Sequence, residues 1–171
     1  MAGKPETDQD FVLWYVLHQA ADAIARNRQR ELTEAGIGIT LMHAAVLHIL
    51  KTSDEPATPA EIARLLFREP PSVFVLLKEM ERRGLITRTK DLERGNMVRV
   101  SITEKGKHAY REASMNMNKK VVHDIFSCLS EEERTTLYRI TKRLRKTALM
   151  KLGVRRLRRE PTVTMPGCES P

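Results

Sequence analysis

Between Thr58 and Ile102 the apolar residues change from a helical period to a period of two, and that change narrows the folds open to this chain more than any other feature. Thr58, Pro59, Ala60 and Glu61 form a T-x-x-E capping box with proline at the first helical position. Ile62, Leu65 and Leu66 then supply the buried face of a short helix. After the link Phe67, Arg68, Glu69, two prolines stand where proline is tolerated, in a first helical turn whose amides have no intrahelical acceptor. A second short helix therefore opens at Pro70. Its Val73, Leu76, Leu77 and Met80 lie at i, i+3, i+4 and i+7 and are predicted to pack on Ile62, Leu65 and Leu66. Gly84 ends it. From there the period becomes two: Val98, Val100 and Ile102 alternate with Met97, Arg99 and Ser101, and Leu85 to Thr89 is predicted to pair with them across a loop containing Asp91 to Asn96.

The flanks are helical. Phe11, Trp14, Leu17, Ala21, Ile24 and Arg28 keep helical spacing, so Phe11 to Leu32 reads as one long amphipathic helix, broken by Gly36 and Gly38. Thr40 caps a helix starting at Leu41 whose Leu41, Ala44, Ala45, Leu47 and Leu50 leave little polar face, which predicts a central position. Beyond the hairpin, Thr103 caps a long helix through Tyr110 and Val121 to about Cys128. Ser130 with Glu133 makes a further capping box that opens the last helix. With aromatics at 5% of 171 residues, the expectation is one mainly α domain with a small two- or three-stranded β wing. Residues 1–10 and 151–171 are expected to be disordered ends, the second one basic through Arg155, Arg156, Arg158 and Arg159.

Two short helices joined by a tight turn make a helix-turn-helix, whose second member enters a DNA major groove, and a hairpin directly after it is a wing. The run TPAEIARLLFREPPSVFVLLKEMERRGLITRTKDLERGNMVRVSITEKG and the closing LSEEERTTLYRITKRL resemble the MarR family of winged helix-turn-helix transcriptional regulators, over roughly Phe11 to Leu149. The resemblance implies a homodimer built from helices within 11–36 and 104–150, with a DNA-binding lobe over 40–103. It also implies a repressor that meets successive major grooves of a palindromic operator in double-stranded DNA. The segments LFREPPSV and DLERGNMVRVSIT are similar to a subgroup of these regulators met in organohalide-respiring anaerobes, which implies control of dehalogenase or neighbouring genes.

Ser72, Phe74, Val75, Lys78, Glu79 and Arg82 lie off the apolar stripe of the second short helix, and by resemblance the early ones face bases, with Pro71 also a DNA-binding candidate. Phe74 and Val75 depart from the polar or basic residues usual there. Apolar groups in a major groove contact thymine methyls, so thymine-rich half-sites are expected, with Ser72 and Lys78 supplying hydrogen bonds or phosphate contacts. The alternative is that Phe74 and Val75 pack on a neighbouring loop. Thr58 combines a cap with a helix N-terminus suited to phosphate. In the hairpin, Arg94 near the tip is the candidate for minor-groove insertion, with Arg88, Lys90 and Arg99 on the flanking backbone.

Charge agrees only in part. Met1 to Lys105 is neutral overall, so the net +8 lies in Gly106 to Pro171, and DNA contact in the middle of the chain depends on placed charges. The resemblance further implies a small-molecule effector between the first, second and fifth helices, where Trp14, His18, Met42, His43 and Tyr110 are candidates, each with ordinary packing as its alternative. A thiol switch is disfavoured, since Phe11 to Leu32 holds no cysteine and neither Cys128 nor Cys168 sits beside obvious thiolate-stabilising charge. No metal-ligand cluster, cofactor motif or catalytic motif stands out, so no metal, no cofactor and no enzyme is expected. The polar N-terminus and the short apolar runs point to a cytoplasmic protein with no membrane partner. Two rivals remain open: a sequence-tolerant architectural DNA binder, and a protein-interaction module using Phe74 and Val75 as an apolar patch.

Overall fold

The computed structural model describes residues 8–53, 55–91, 97–117 and 120–152. Their order is α1 (Gln9–Glu34), α2 (Leu41–Thr52), α3 (Pro59–Leu66), α4 (Pro70–Arg82), β1 (Ile86–Asp91), β2 (Met97–Ile102), α5 (Glu104–Met117), α6 (Val121–Phe126) and α7 (Glu131–Lys151). The expected starts are where the side chains place them. Thr40, Thr58 and Ser130 each accept from the backbone three residues on, and the side chains of His43, Glu61 and Glu133 reach back to the cap amide.

Between α3 and α4 the turn closes on Phe67, whose φ of 53° is left-handed, while the Arg68 amide donates to the Ala63 carbonyl at 3.0 Å. Gly84 ends α4 at φ 70°, a conformation glycine adopts without strain. The two strands pair antiparallel in register Ile86↔Ile102 to Asp91↔Met97. A one-residue bridge between Ala57 and Val100 adds the third edge, with hydrogen bonds of 3.2 and 2.8 Å. The wing is thus two-stranded with a single-bridge third member.

One expectation needs correction. The helix expected to run unbroken from Thr103 to about Cys128 is two helices, α5 ending at Met117 and α6 starting at Val121. Lys120 has φ −125° and ψ −75°, outside helical values. The local sequence SMNMN is rich in asparagine and serine, which favour backbone-bonded caps and turns over helix interiors. The break turns α6 back against α1, where the Val121 amide donates to Glu31 Oε1 at 3.5 Å.

The core sits in one place. Val46 and Leu47 of α2, Ile62 of α3, Val73, Leu77 and Met80 of α4, Leu85 and Ile86 at the hairpin and Val100 of β2 are buried together. Leu32 joins them from α1 and Ala113 from α5. The remaining described residues of the terminal helices α1, α6 and α7 are half-buried or exposed. Neither α6 nor α7 has a buried residue, and Phe11 to Leu17, seven successive apolar side chains, are all exposed. The apolar band of α1 is therefore wider than the stripe expected from its spacing, since consecutive residues cover every side of its first two turns. Among the described residues, no helix is long and apolar enough to cross a membrane.

Candidate nucleic-acid interface

Burial of Val73, Leu77 and Met80 fixes one face of α4 on the core, so helical geometry turns the opposite face outward. Pro71, Ser72, Phe74, Val75, Lys78 and Arg82 are all exposed on it, Phe74 by 54% and Val75 by 67%. These six are brought together. Pro70 and Pro71 fill the first two helical positions and carry no N–H, so two of the amides with which a helix end holds an anion are missing. An anion at this end would have to be held by side chains.

The basic candidates divide. Lys90 is exposed on β1, whereas Arg88 and Arg99 are only 20% and 15% exposed and already have partners. Arg88 donates from Nε at 2.8 Å and from Nη2 to the same Glu81 oxygen, and its Cζ stands 5.6 Å from the centre of the Phe74 ring. Those hydrogen bonds hold the Glu81 carboxyl below its ordinary pKa. Arg99 reaches Asp91 and the Pro56 carbonyl, each at 3.3 Å. Thr58 has its amide and hydroxyl both donating to Glu61 Oε2, at 2.8 and 2.9 Å. The backbone bond from Thr58 lowers the Glu61 pKa, so a carboxylate occupies the place where a phosphate would bind. Arg94 lies outside the described residues.

The effector candidates separate in a similar way. Trp14 and His18 stack on α1, ring centres 5.8 Å apart and nearly parallel, with Met42 half-buried on α2. Tyr110 of α5 bonds His48 Nδ1 at 2.8 Å, and Lys51 Nζ lies 5.0 Å from its ring centre. Sequence reasoning did not name His48 or Lys51 for this cluster, although their three-residue spacing puts them on one face of α2. His43 points elsewhere, toward α4.

His43 is 2% exposed, and its Nδ1 accepts from the Thr40 amide at 3.1 Å, which places the ring proton on Nε2. Nε2 has no hydrogen-bond partner and lies 3.7 Å from Glu79 of α4, itself 3.5 Å from Arg83, which donates to the Gly38 carbonyl. Burial lowers the His43 pKa from 6.5, with Glu79 opposing and Arg83 assisting. The fold thus favours neutral imidazole, and its stability is undiminished above 6.5 and falls as pH drops from there through the depressed folded value. His43→Gln keeps an N3 capping acceptor without titrating. Thermal melts from pH 7.5 to 5 should show the wild type losing stability relative to this variant as pH falls; parallel curves would contradict the assignment.

Among the described residues, no group of three or more His, Cys, Asp or Glu is placed to hold a metal, and Cys128 is an exposed free thiol.

The same architecture occurs in known proteins. The sequence model of the MarR family matches residues 37–95, from the α1–α2 link to the segment between β1 and β2. Transcriptional repressor MprA of Escherichia coli K12 is 25% identical over 136 residues, covering 80% of this chain and 76% of that protein. The organohalide-sensing transcriptional regulator RdhR in its 2,4-dichlorophenol-bound form is 27% identical with TM-score 0.80, over 96% of this chain and 98% of that one. Its ligand-free form is 29% identical with TM-score 0.74, over 87% and 89%. The Staphylococcus aureus MepR–DNA complex shares the fold at 21% identity and TM-score 0.67, over 82% and 99%.

Proposed function

Because the chain belongs to the MarR family of transcriptional regulators, we propose that it is a homodimeric repressor that binds a palindromic operator and is released by a small-molecule effector. The observation that carries this reading is the outer face of α4, an exposed strip of side chains on a helix whose other face is locked into the core. Ser72, Phe74 and Val75 read bases, and Lys78 and Arg82 neutralise phosphates. Lys90 and Arg94 carry the wing's contact with the backbone and minor groove, while Arg88, Arg99 and Thr58 act through the partners they already hold. The name of MprA supports repression.

Similarity to an organohalide sensor supports a halogenated aromatic as effector and dehalogenase or neighbouring genes as targets. Trp14, His18, Met42 and Tyr110 are the side chains we assign to it. The boundaries 11–36 and 104–150 for dimer helices and 40–103 for the DNA lobe belong to the same reading. So does a cytoplasmic location, where an operator is found.

A titration against DNA upstream of the protein's own gene tests it, with scrambled DNA as competitor and two salt concentrations. The expected result is competitor-resistant binding, two chains per site, and affinity falling linearly in log–log form with salt. Equal loss to the scrambled competitor would favour the architectural reading. Within that assay Phe74→Ala should reduce operator preference by about tenfold, the scale of one mismatched base pair. Retained preference would remove the thymine-methyl contact.

A further inference from the structure

We propose that Arg88 and Glu81 are positioning residues for base reading: Glu81 locks the Arg88 guanidinium, and the guanidinium holds the Phe74 ring in one orientation toward the groove. This rests on α4 being the DNA-reading helix. Glu81 lies seven residues after Phe74, two turns along the same face. Arg88 follows Ile86 by two on β1, so it shares the strand face that packs toward α4.

Two of the five guanidinium donors converge on a single oxygen of Glu81, which fixes the plane and leaves Cζ within cation–π range of the ring. An exposed phenylalanine on a helix ordinarily exchanges among rotamers, whereas contact with a methyl group in the groove needs one of them. A ring covered on one side by Arg88 meets the base already oriented, with 54% of the residue still exposed. The arrangement also accounts for an acid next to a DNA-facing strip, because Arg88 neutralises it in place.

The competing role, a phosphate contact by Arg88, predicts different salt behaviour. Full-length wild type, Phe74→Ala, Arg88→Met and the double variant are titrated against operator and scrambled DNA over a range of salt. Phe74→Ala is expected to lower the operator-to-scrambled ratio about tenfold. Arg88→Met should lower that ratio in the same direction without changing the salt slope on scrambled DNA. The double variant should be no worse than Phe74→Ala, since the arginine acts through the ring. A slope reduced by about 0.9 with equal loss on both DNAs would make Arg88 a phosphate contact and overturn the proposal. Additive losses in the double variant would overturn it too.

If Phe74→Ala leaves the ratio unchanged, base reading by this ring fails and takes the proposal with it. A DNA-free readout separates the two failures. The Arg88 side-chain proton resonances should carry a ring-current shift that Phe74→Leu abolishes, and absence of that shift overturns the buttress while leaving α4 as the reading helix. Loss of folding stability alone moves neither the ratio nor the shift.

Discussion

Gly106→Ala is expected to destabilise the protein by about 3 kcal/mol or more, through a clash with backbone that cannot move aside. A Cβ at this position would stand 2.1 Å from the Leu85 carbonyl oxygen and 3.0 Å from Ile102 Cγ1. That carbonyl is itself committed, accepting from the Thr103 amide at 3.2 Å. The Thr103 hydroxyl donates to Gly84 at 2.7 Å and accepts from the Gly106 amide at 3.0 Å, so the start of α5 is clamped onto the turn between α4 and β1. Relief of the clash requires that clamp to open, which also loosens the link between α5 and the α4–β1 turn. For a chain of this size the midpoint should fall by about 10 °C. Lys107→Ala, one residue on and half-exposed, is the control and should shift it little. A melt of Gly106→Ala within two degrees of wild type would show that the clamp is not tight.

The second large effect is on assembly. Leu13→Asp combined with Leu144→Asp is expected to convert the proposed dimer to monomer and weaken operator binding by about a hundredfold or more, because linked half-sites gain from effective concentration. Both side chains are exposed in the single chain, so neither substitution opens a cavity and each chain should fold as before. The surface to be covered is large: Phe11 to Leu17 on α1, with Ile140, Leu144 and Met150 on α7. Because the α1 residues encircle the helix, a partner that covers them must wrap around it, as intertwined helices of a second copy do. Sedimentation of the double variant decides the matter. A variant that remains dimeric, or a wild type that is monomeric at micromolar concentration, would remove the dimer reading.

Much of the interface was legible because helix ends and periods are local properties. The capping boxes at Thr58 and Ser130, the prolines opening α4 and the i, i+3, i+4, i+7 burial of Val73, Leu76, Leu77 and Met80 depend on residues within two turns of each other. Pro71, Ser72, Phe74, Val75, Lys78 and Arg82 are exposed together for the same reason. The long helix expected after Thr103 failed because weak propensity around Asn116 left tertiary contact with α1 to decide where the chain bends.

The succession of two short helices and a hairpin, and the apolar face of α4, are already written in the order and period of the residues. What the charges do is set by packing. Arg88 and Glu81 lie seven residues apart across a turn, and Arg99 and the Pro56 carbonyl far apart in the chain, so their pairing exists only after β1 and β2 have packed on α4 and α3. His43 reaches Glu79 only because α2 and α4 share a core. Periodicity records which way a side chain points relative to its own element. Which partner it meets there depends on how the elements are laid against each other, and that is set by the burial of the whole core at once.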